Sequence, residues 1–233
     1  MVVDPDHKLY AVNEVFDTFQ GEGKFMGLPA FFIRLQGCDQ KCSWCDSAGT
    51  WHKDWIDRSR IRKVDELYLS ELASHSQSEI VVITGGEPTL WNLEPLVRNL
   101  REKGKRVHLE TAGHHDTQAI FDWITLSPKI DQTLPITSML QRADEYKCII
   151  AKPEDIEMNL NLVLSWAKQL DKFVWLHPEW SQRENPNVLR AICEAVSMHK
   201  NVRAGYQIHK LYNVDKLDPR ADERLIPLGG KRG

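Results

Sequence analysis

Three cysteines fall within eight residues: Cys38, Cys42 and Cys45, in the stretch "GCDQKCSWCDS", with three residues in the first gap and two in the second. Five cysteines in all, three of them bunched, make a poor disulfide framework and in a reduced compartment point to metal binding. Four readings fit three thiols at this spacing. Packed core thiols are opposed by Asp39, Gln40, Lys41 and Asp46 around them. A structural zinc ion takes four ligands, and the nearest further donor is His52. A redox Cys-x-x-Cys pair leaves Cys38 unexplained. A cluster of four irons on three thiolates uses every cysteine of the group and leaves one iron open, which is where chemistry could occur.

Such a loop must be carried by regular elements, and the chain alternates short β-rich runs with amphipathic helical stretches. "AFFIRLQG" reads as a strand ending at the cysteine loop, and "EIVVITGG" as a strand buried on both faces of a parallel sheet. "RVHLET", "WITLSPK", "YKCIIA", "FVWLHP" and "VRAGYQIH" read as further strands. Helices are expected over "KVDELYLSELASHS", from near Trp91, over residues 154–170 and around residues 187–199. Repeated β-α units predict a parallel sheet with right-handed crossovers. Polar or Gly/Pro motifs follow the strands ("TGGEP", "ETAG", "SPK", "HPEW"), where parallel α/β folds build their sites. About six strands are too few for a closed eight-stranded barrel, so the fold class expected is α/β, a partial, open parallel β/α barrel. No Gly/Pro/Ser-rich linker divides residues 1–233, which read as a single domain with a tail from about residue 215 that composition describes as mobile and solvated.

The spacing Cys-x3-Cys-x2-Cys, with aromatic Trp44 before the last cysteine, resembles the signature of the radical S-adenosylmethionine (SAM) enzymes, and "TGGEP" resembles their Gly-Gly-Glu motif. The segments "FDTFQGEGKFMGLPAFFIRLQGC", "CSWCDS", "ETAG", "LSPK" and "YQIHKLYNV" resemble, in order, motifs of the 7-carboxy-7-deazaguanine synthase family. That resemblance implies a partial-barrel lyase that converts 6-carboxy-5,6,7,8-tetrahydropterin to 7-carboxy-7-deazaguanine with loss of ammonia, a step towards queuosine. It also implies a 4Fe–4S cluster on Cys38, Cys42 and Cys45, with SAM chelating the open iron. SAM would contact Trp44, Cys45, Asp46, Gly86, Glu87, Ser127, Pro128, Lys129, His177 and Pro178. The pterin substrate would contact Phe19, Gln20, Gly21, Arg34 and Thr84, with Arg34 on its carboxylate. Ser47 would give Mg2+ an oxygen ligand. No side-chain general base is nominated, because the cofactor carries the hard chemistry. A reductant protein such as a flavodoxin and a homodimer belong to the same expectation.

The sequence departs from the family pattern at Ser47, where Thr is common, at His177, where Gln is common, and at Ala112, where Asn or Ser is frequent. Cys148 and Cys193 read as packed core thiols. A net charge of −3 gives no reason to expect direct nucleic-acid binding. "MVVDPDHKLY" contains no apolar run of the signal-peptide kind, and no run approaches the roughly 18 residues of a membrane span, so a cytoplasmic setting without membrane contact is expected. Two other classes stay open at this point: a different radical SAM enzyme, such as a glycyl-radical activase, and a zinc-binding module without catalysis.

Overall fold

A computed structural model describes residues 9–214 and 217–221. Nine strands form one sheet: β1 (Leu9–Phe19), β2 (Pro29–Leu35), β3 (Arg62–Asp65), β4 (Ile80–Gly85), β5 (Arg106–Thr111), β6 (Trp123–Leu126), β7 (Glu145–Ile150), β8 (Phe173–Pro178) and β9 (Val202–Ala204). Their order is β3-β1-β2-β4-β5-β6-β7-β8-β9. From β2 through β4 to β9 every pairing is parallel, whereas β1 lies antiparallel to both β2 and β3. The parallel part thus has seven strands, one at each run read from the sequence, and the antiparallel edge was not foreseen.

Helices α1 (Glu66–His75), α2 (Glu94–Glu102), α3 (Thr137–Arg142), α4 (Glu154–Leu170) and α5 (Pro186–Met198) connect the parallel strands, and a short α6 (Ile208–Leu211) follows β9. Two expected boundaries are corrected. Val64 lies in β3, and α1 starts only after Asp65, whose side chain caps it by accepting from the Tyr68 backbone N–H. "VRAGYQIH" is a strand for three residues only; Gln207 caps α6.

Strand periodicity sorts the side chains. One face of the sheet, with Phe31, Ile33, Leu35, Val81, Ile83, Val107, Leu109, Tyr146 and Cys148, packs under the helices as the main core. The inner face changes character along each strand. Ala30 and Phe32 on β2 and Ile80 and Val82 on β4 form a small apolar cluster with Phe16, and the next residues of the same face are Arg34 and Thr84. The concave side is therefore greasy at one end of the strands and polar at the end where the parallel strands finish.

Two corrections concern residues outside the site. Cys148 is buried as expected, and burial pushes its thiol up to about 12, but Cys193 is exposed. Val188, Ile192 and Ala195 form the buried stripe of α5, and Cys193 lies off it. Within the tail, residues 217–221 are anchored although Leu217, Pro219 and Arg220 are exposed: Ala221 is buried in the inner apolar cluster, Asp218 accepts from the Asp17 backbone N–H, and Arg220 pairs with Asp17. The rest of the tail, residues 215–216 and 222–233, lies outside the described residues.

Candidate active site

The cysteine loop leaves the end of β2 and is pinned at its base. Gly37, at φ 103°, turns the chain away from the strand; its N–H donates to Thr50 O (2.9 Å) and its carbonyl accepts from Glu87 N (2.8 Å). The "TGGEP" turn at the end of β4 thereby lies against the cysteine loop. Gly86 makes the approach possible: a Cβ there would sit 2.1 Å from Gly37 O and 2.7 Å from the Cys38 Cβ.

Cys38, Cys42 and Cys45 line one cavity together with Trp44, Asp46, Ser47, Thr84, Gly86, Glu87, Ser127, Lys129 and Pro178. All three are free thiols, and burial pushes Cys38 up to about 12 and Cys42 up to about 11. At those values Cys38 and Cys42 stay protonated near neutral pH and lose the proton when a metal takes them. Cys45 Sγ accepts from Trp51 Nε1 at 3.3 Å. Among the described residues, the one group of three His, Cys, Asp or Glu ligands drawn within 4.8 Å of one another is Asp39, His114 and His115. The three sulfurs are thus spread wider than the roughly 4 Å at which a single zinc, with bonds of about 2.3 Å, would hold them. His52 does not line the cavity; its Nδ1 faces Asp54. The donor set fits an iron–sulfur cluster on three thiolates.

The Glu87 carboxylate, 1% exposed, is committed within the protein. Oε1 accepts from Thr89 N (3.0 Å), Thr89 Oγ1 (2.5 Å) and Thr111 Oγ1 (2.6 Å), and Oε2 from Ala112 N (2.8 Å). It ties the turn after β4 to the "ETAG" turn after β5, a bracing role that the sequence did not disclose. Ser127 and Lys129 face the cavity, Lys129 Nζ donating to Ser127 O and Oγ at 2.8 Å and lying 5.3 Å from the centre of the Trp44 ring. Pro128, buried between them, shapes the turn. Ser47 Oγ lies 3.6 Å from Cys45 Sγ and 3.4 Å from Gly85 O, beside the thiols.

Two of the expected cofactor contacts, Pro128 and His177, do not line the cavity, and His177 departs the further. It is fully buried and does not line the cavity. Its imidazole sits where a Cβ on Gly205 would come within 2.1 Å of Nε2, neither ring nitrogen has a hydrogen-bond partner among the described residues, and burial pulls its pKa down to about 4. Pro178, the next residue, is the one that reaches the cavity.

The floor comes from the β1–β2 hairpin loop, which folds inward. Gln20 Nε2 donates to Glu110 Oε1 (2.9 Å), and Phe19, Gln20, Gly21 and Arg34 all line the cavity, with Glu14 holding Arg34 Nε. Here lie the charged residues that sequence reading passed over. Lys147 bridges Glu22 and Glu110, and Gln207 Nε2 donates to Glu22 Oε1 (2.7 Å). Burial opposes charge on both Glu22 and Lys147, but their attraction, with Glu110, keeps the pair ionised, Glu22 well below and Lys147 above its ordinary range. Lysine inside "YKCIIA" and glutamate inside "RVHLET" were the available signals, since a charge in an otherwise apolar strand faces a ligand or a partner. Lys210 Nζ donates to Asp46 Oδ2 (2.7 Å), and Ile208 N to Gly21 O (3.2 Å). The segment at α6 thus joins the cysteine loop to the floor.

Comparison with known proteins follows the same motifs. Residues 32–129, from β2 through the cysteine loop to Lys129, match the family described as "Radical SAM superfamily". The chain is 36% identical over 211 residues to 7-carboxy-7-deazaguanine synthase of Synechocystis sp., covering 88% of this chain and 93% of the relative. It is 34% identical over 225 residues to the enzyme of that name from Escherichia coli K12, covering 88% and 99%. The crystal structure of QueE from Escherichia coli superposes with a TM-score of 0.74 at 30% identity, covering 87% of this chain and 96% of that one. Relatives aligned over nearly their full length, on the motifs that build this cavity, place the chain in the 7-carboxy-7-deazaguanine synthase family of the radical SAM superfamily.

Proposed function

We propose that the protein is a radical SAM lyase that converts 6-carboxy-5,6,7,8-tetrahydropterin to 7-carboxy-7-deazaguanine with loss of ammonia. The observation that carries the reading is that three thiols, Arg34, Thr84 and the charged group of Glu22, Glu110 and Lys147 all line one cavity. The family implies a 4Fe–4S cluster and SAM, and when bound these supply the hydrogen-abstracting radical.

The chain's own part is to hold and orient. Cys38, Cys42 and Cys45 carry the cluster. Trp44, Asp46, Gly86, Ser127, Lys129 and Pro178 would bound the SAM space, and Glu87 would keep the adjoining turn in place and offer its ammonium the remaining acceptor capacity of Oε2. Arg34, oriented by Glu14, takes the substrate carboxylate through its guanidinium fork. Phe19, Gln20, Gly21 and Thr84 fix the pterin on the floor, so that its reacting carbon is positioned rather than activated by a side-chain base. Ser47 gives Mg2+ one hydroxyl. A neutral hydroxyl alone holds Mg2+ poorly, so substrate oxygens complete that site. A flavodoxin-type reductant, a homodimer and a cytoplasmic setting follow from the family resemblance; among the described residues no helix is long and apolar enough to cross a membrane.

Anaerobic incubation of the reconstituted protein with pterin, SAM and reductant tests the reading: 7-carboxy-7-deazaguanine should form. SAM cleavage without that product would indicate another radical SAM reaction, and a colourless, zinc-containing protein would remove the cluster altogether. Ser47→Ala should lose most of its stimulation by Mg2+ while cluster content and SAM binding stay near normal. Undiminished Mg2+ dependence in that variant would put the metal elsewhere.

A further inference from the structure

Beside the thiol cavity lies a second group of ligand-type side chains to which the activity assigns no work. Asp39 follows Cys38 directly, and His114 and His115 follow Gly113 in the loop after β5. His114 Nε2 lies 2.7 Å from Asp39 Oδ1, and His115 Nε2 lies 2.7 Å from Asp39 Oδ2. One potential ligand atom from each of the three falls within 4.8 Å of the others. The imidazole rings are 4.2 Å apart and inclined by 51°, aiming from different directions at the same carboxylate.

Hydrogen bonding alone leaves this group in conflict. Gln40 Nε2 is 3.1 Å from the same His114 Nε2 that faces Asp39. If that nitrogen carries a proton, it opposes the Gln40 amide donor; if it does not, it opposes the Asp39 carboxylate. Neither tautomer serves both neighbours. Two further atoms are left over: the His114 Nδ1, on a side chain 3% exposed, and the Gln40 Oε1, on a residue 5% exposed, are buried without partners among the described residues. Turning the Gln40 amide end for end, which exchanges its O and N, removes that clash and sets three lone-pair donors, the Gln40 carbonyl, Asp39 Oδ1 and His114 Nε2, against one another. A single Nε2 proton can serve the two oxygens only as a shared bond, whereas a cation takes all three, with the ring proton left on Nδ1.

We propose that Asp39, His114 and His115, with the Gln40 carbonyl as fourth donor, form a zinc site that clips the cysteine loop to the loop after β5. Two imidazoles and a carboxylate are a zinc donor set. Mg2+ prefers oxygen ligands throughout, so this site is distinct from the one at Ser47. Bonds of about 2.0–2.1 Å at tetrahedral angles place ligand atoms roughly 3.3 Å apart. The present 2.7 Å contacts would open by about half an ångström on binding.

The test uses holoprotein whose iron cluster is already assembled, so that Cys38, Cys42 and Cys45 are occupied. After a chelator wash, zinc titration followed by elemental analysis should show one equivalent retained in addition to the iron. Co2+ in its place should give the visible absorption of a four-coordinate nitrogen–oxygen site. His114→Gln and His115→Gln should each weaken zinc binding by more than the roughly 10–100-fold that loss of a ligand's hydrogen-bond partner costs, with iron content unchanged. His115, with 37% of its side chain exposed, can be replaced without opening the core, so its variant decides the matter if His114→Gln fails to fold. The proposal is overturned by holoprotein that retains no zinc, by zinc that survives both substitutions, or by zinc found only when the thiols lack iron.

Discussion

Four donors converge on the Glu87 carboxylate, and an amide at that position would turn one of its two ends into a donor against them. Glu87→Gln should therefore cost about 1.5–3 kcal/mol of unfolding free energy, the usual worth of hydrogen bonds to a charged group, as well as SAM affinity. Urea unfolding and SAM titration on one preparation check both; weaker SAM binding at full stability would mean that the brace contributes nothing. Glu87 was legible in the sequence as a motif residue, but its distant partners were not, because Thr111 and Ala112 reach it only once two separate turns are folded side by side. His177 teaches the opposite: its place in the motif order suggested a cofactor contact, yet the neighbouring Gly205 lets the imidazole be enclosed, and strand alternation gives the cavity to the residue after it.

Between β2 and β4 the site depends on how closely two turns can approach. Gly86→Ala would drive a methyl into the Gly37 carbonyl oxygen, a backbone atom with nowhere to go, so the cysteine loop must shift. The expected result is a protein that folds but holds well under half of the parent's iron after reconstitution, measured as iron and sulfide per chain. Gly21→Ala meets instead the His209 side chain, Cβ included at 2.8 Å, so α6 rather than the cysteine loop must give, and the variant should retain most of its iron. Equal iron content in the two variants would contradict this distinction. The parallel strands and long helices were legible at this scale because their apolar runs and 3.6-residue periods are local. Strands β1 and β3 were not, since β1 mixes Asn13, Glu14 and Asp17 with its apolar residues and β3 is only four residues long, so pairing rather than composition defines both.

For the whole molecule, two enclosed histidines tie stability to pH. Burial holds His108 and His177 at about 4, whereas the unfolded chain takes up these protons near 6.5. Between those values the unfolded state binds more protons, so stability is complete above pH 6.5 and falls as the solution is acidified towards pH 4. Each imidazole should cost about 1.4 kcal/mol per pH unit below 6.5. Anaerobic urea unfolding at pH 7.5 and 5.5 should show His108→Gln losing about 1.4 kcal/mol less than the parent over that interval; parallel losses would exclude His108 as a source. The partial barrel was expected from its β-α repeats, but the way it is closed was not. The residues that shut it, Gln207 on Glu22 and Lys210 on Asp46, are 185 and 164 positions away from their partners. That separation has a consequence for synthesis. A ribosome adding roughly 5–20 residues per second exposes the cysteines several seconds to half a minute before Lys210 has even been polymerised. Throughout that interval the nascent thiols stand in a loop without its clasp, so iron delivery to a complete pocket belongs after translation, and a chain stalled short of Gln207 would present three reactive cysteines with no means of enclosing what they capture.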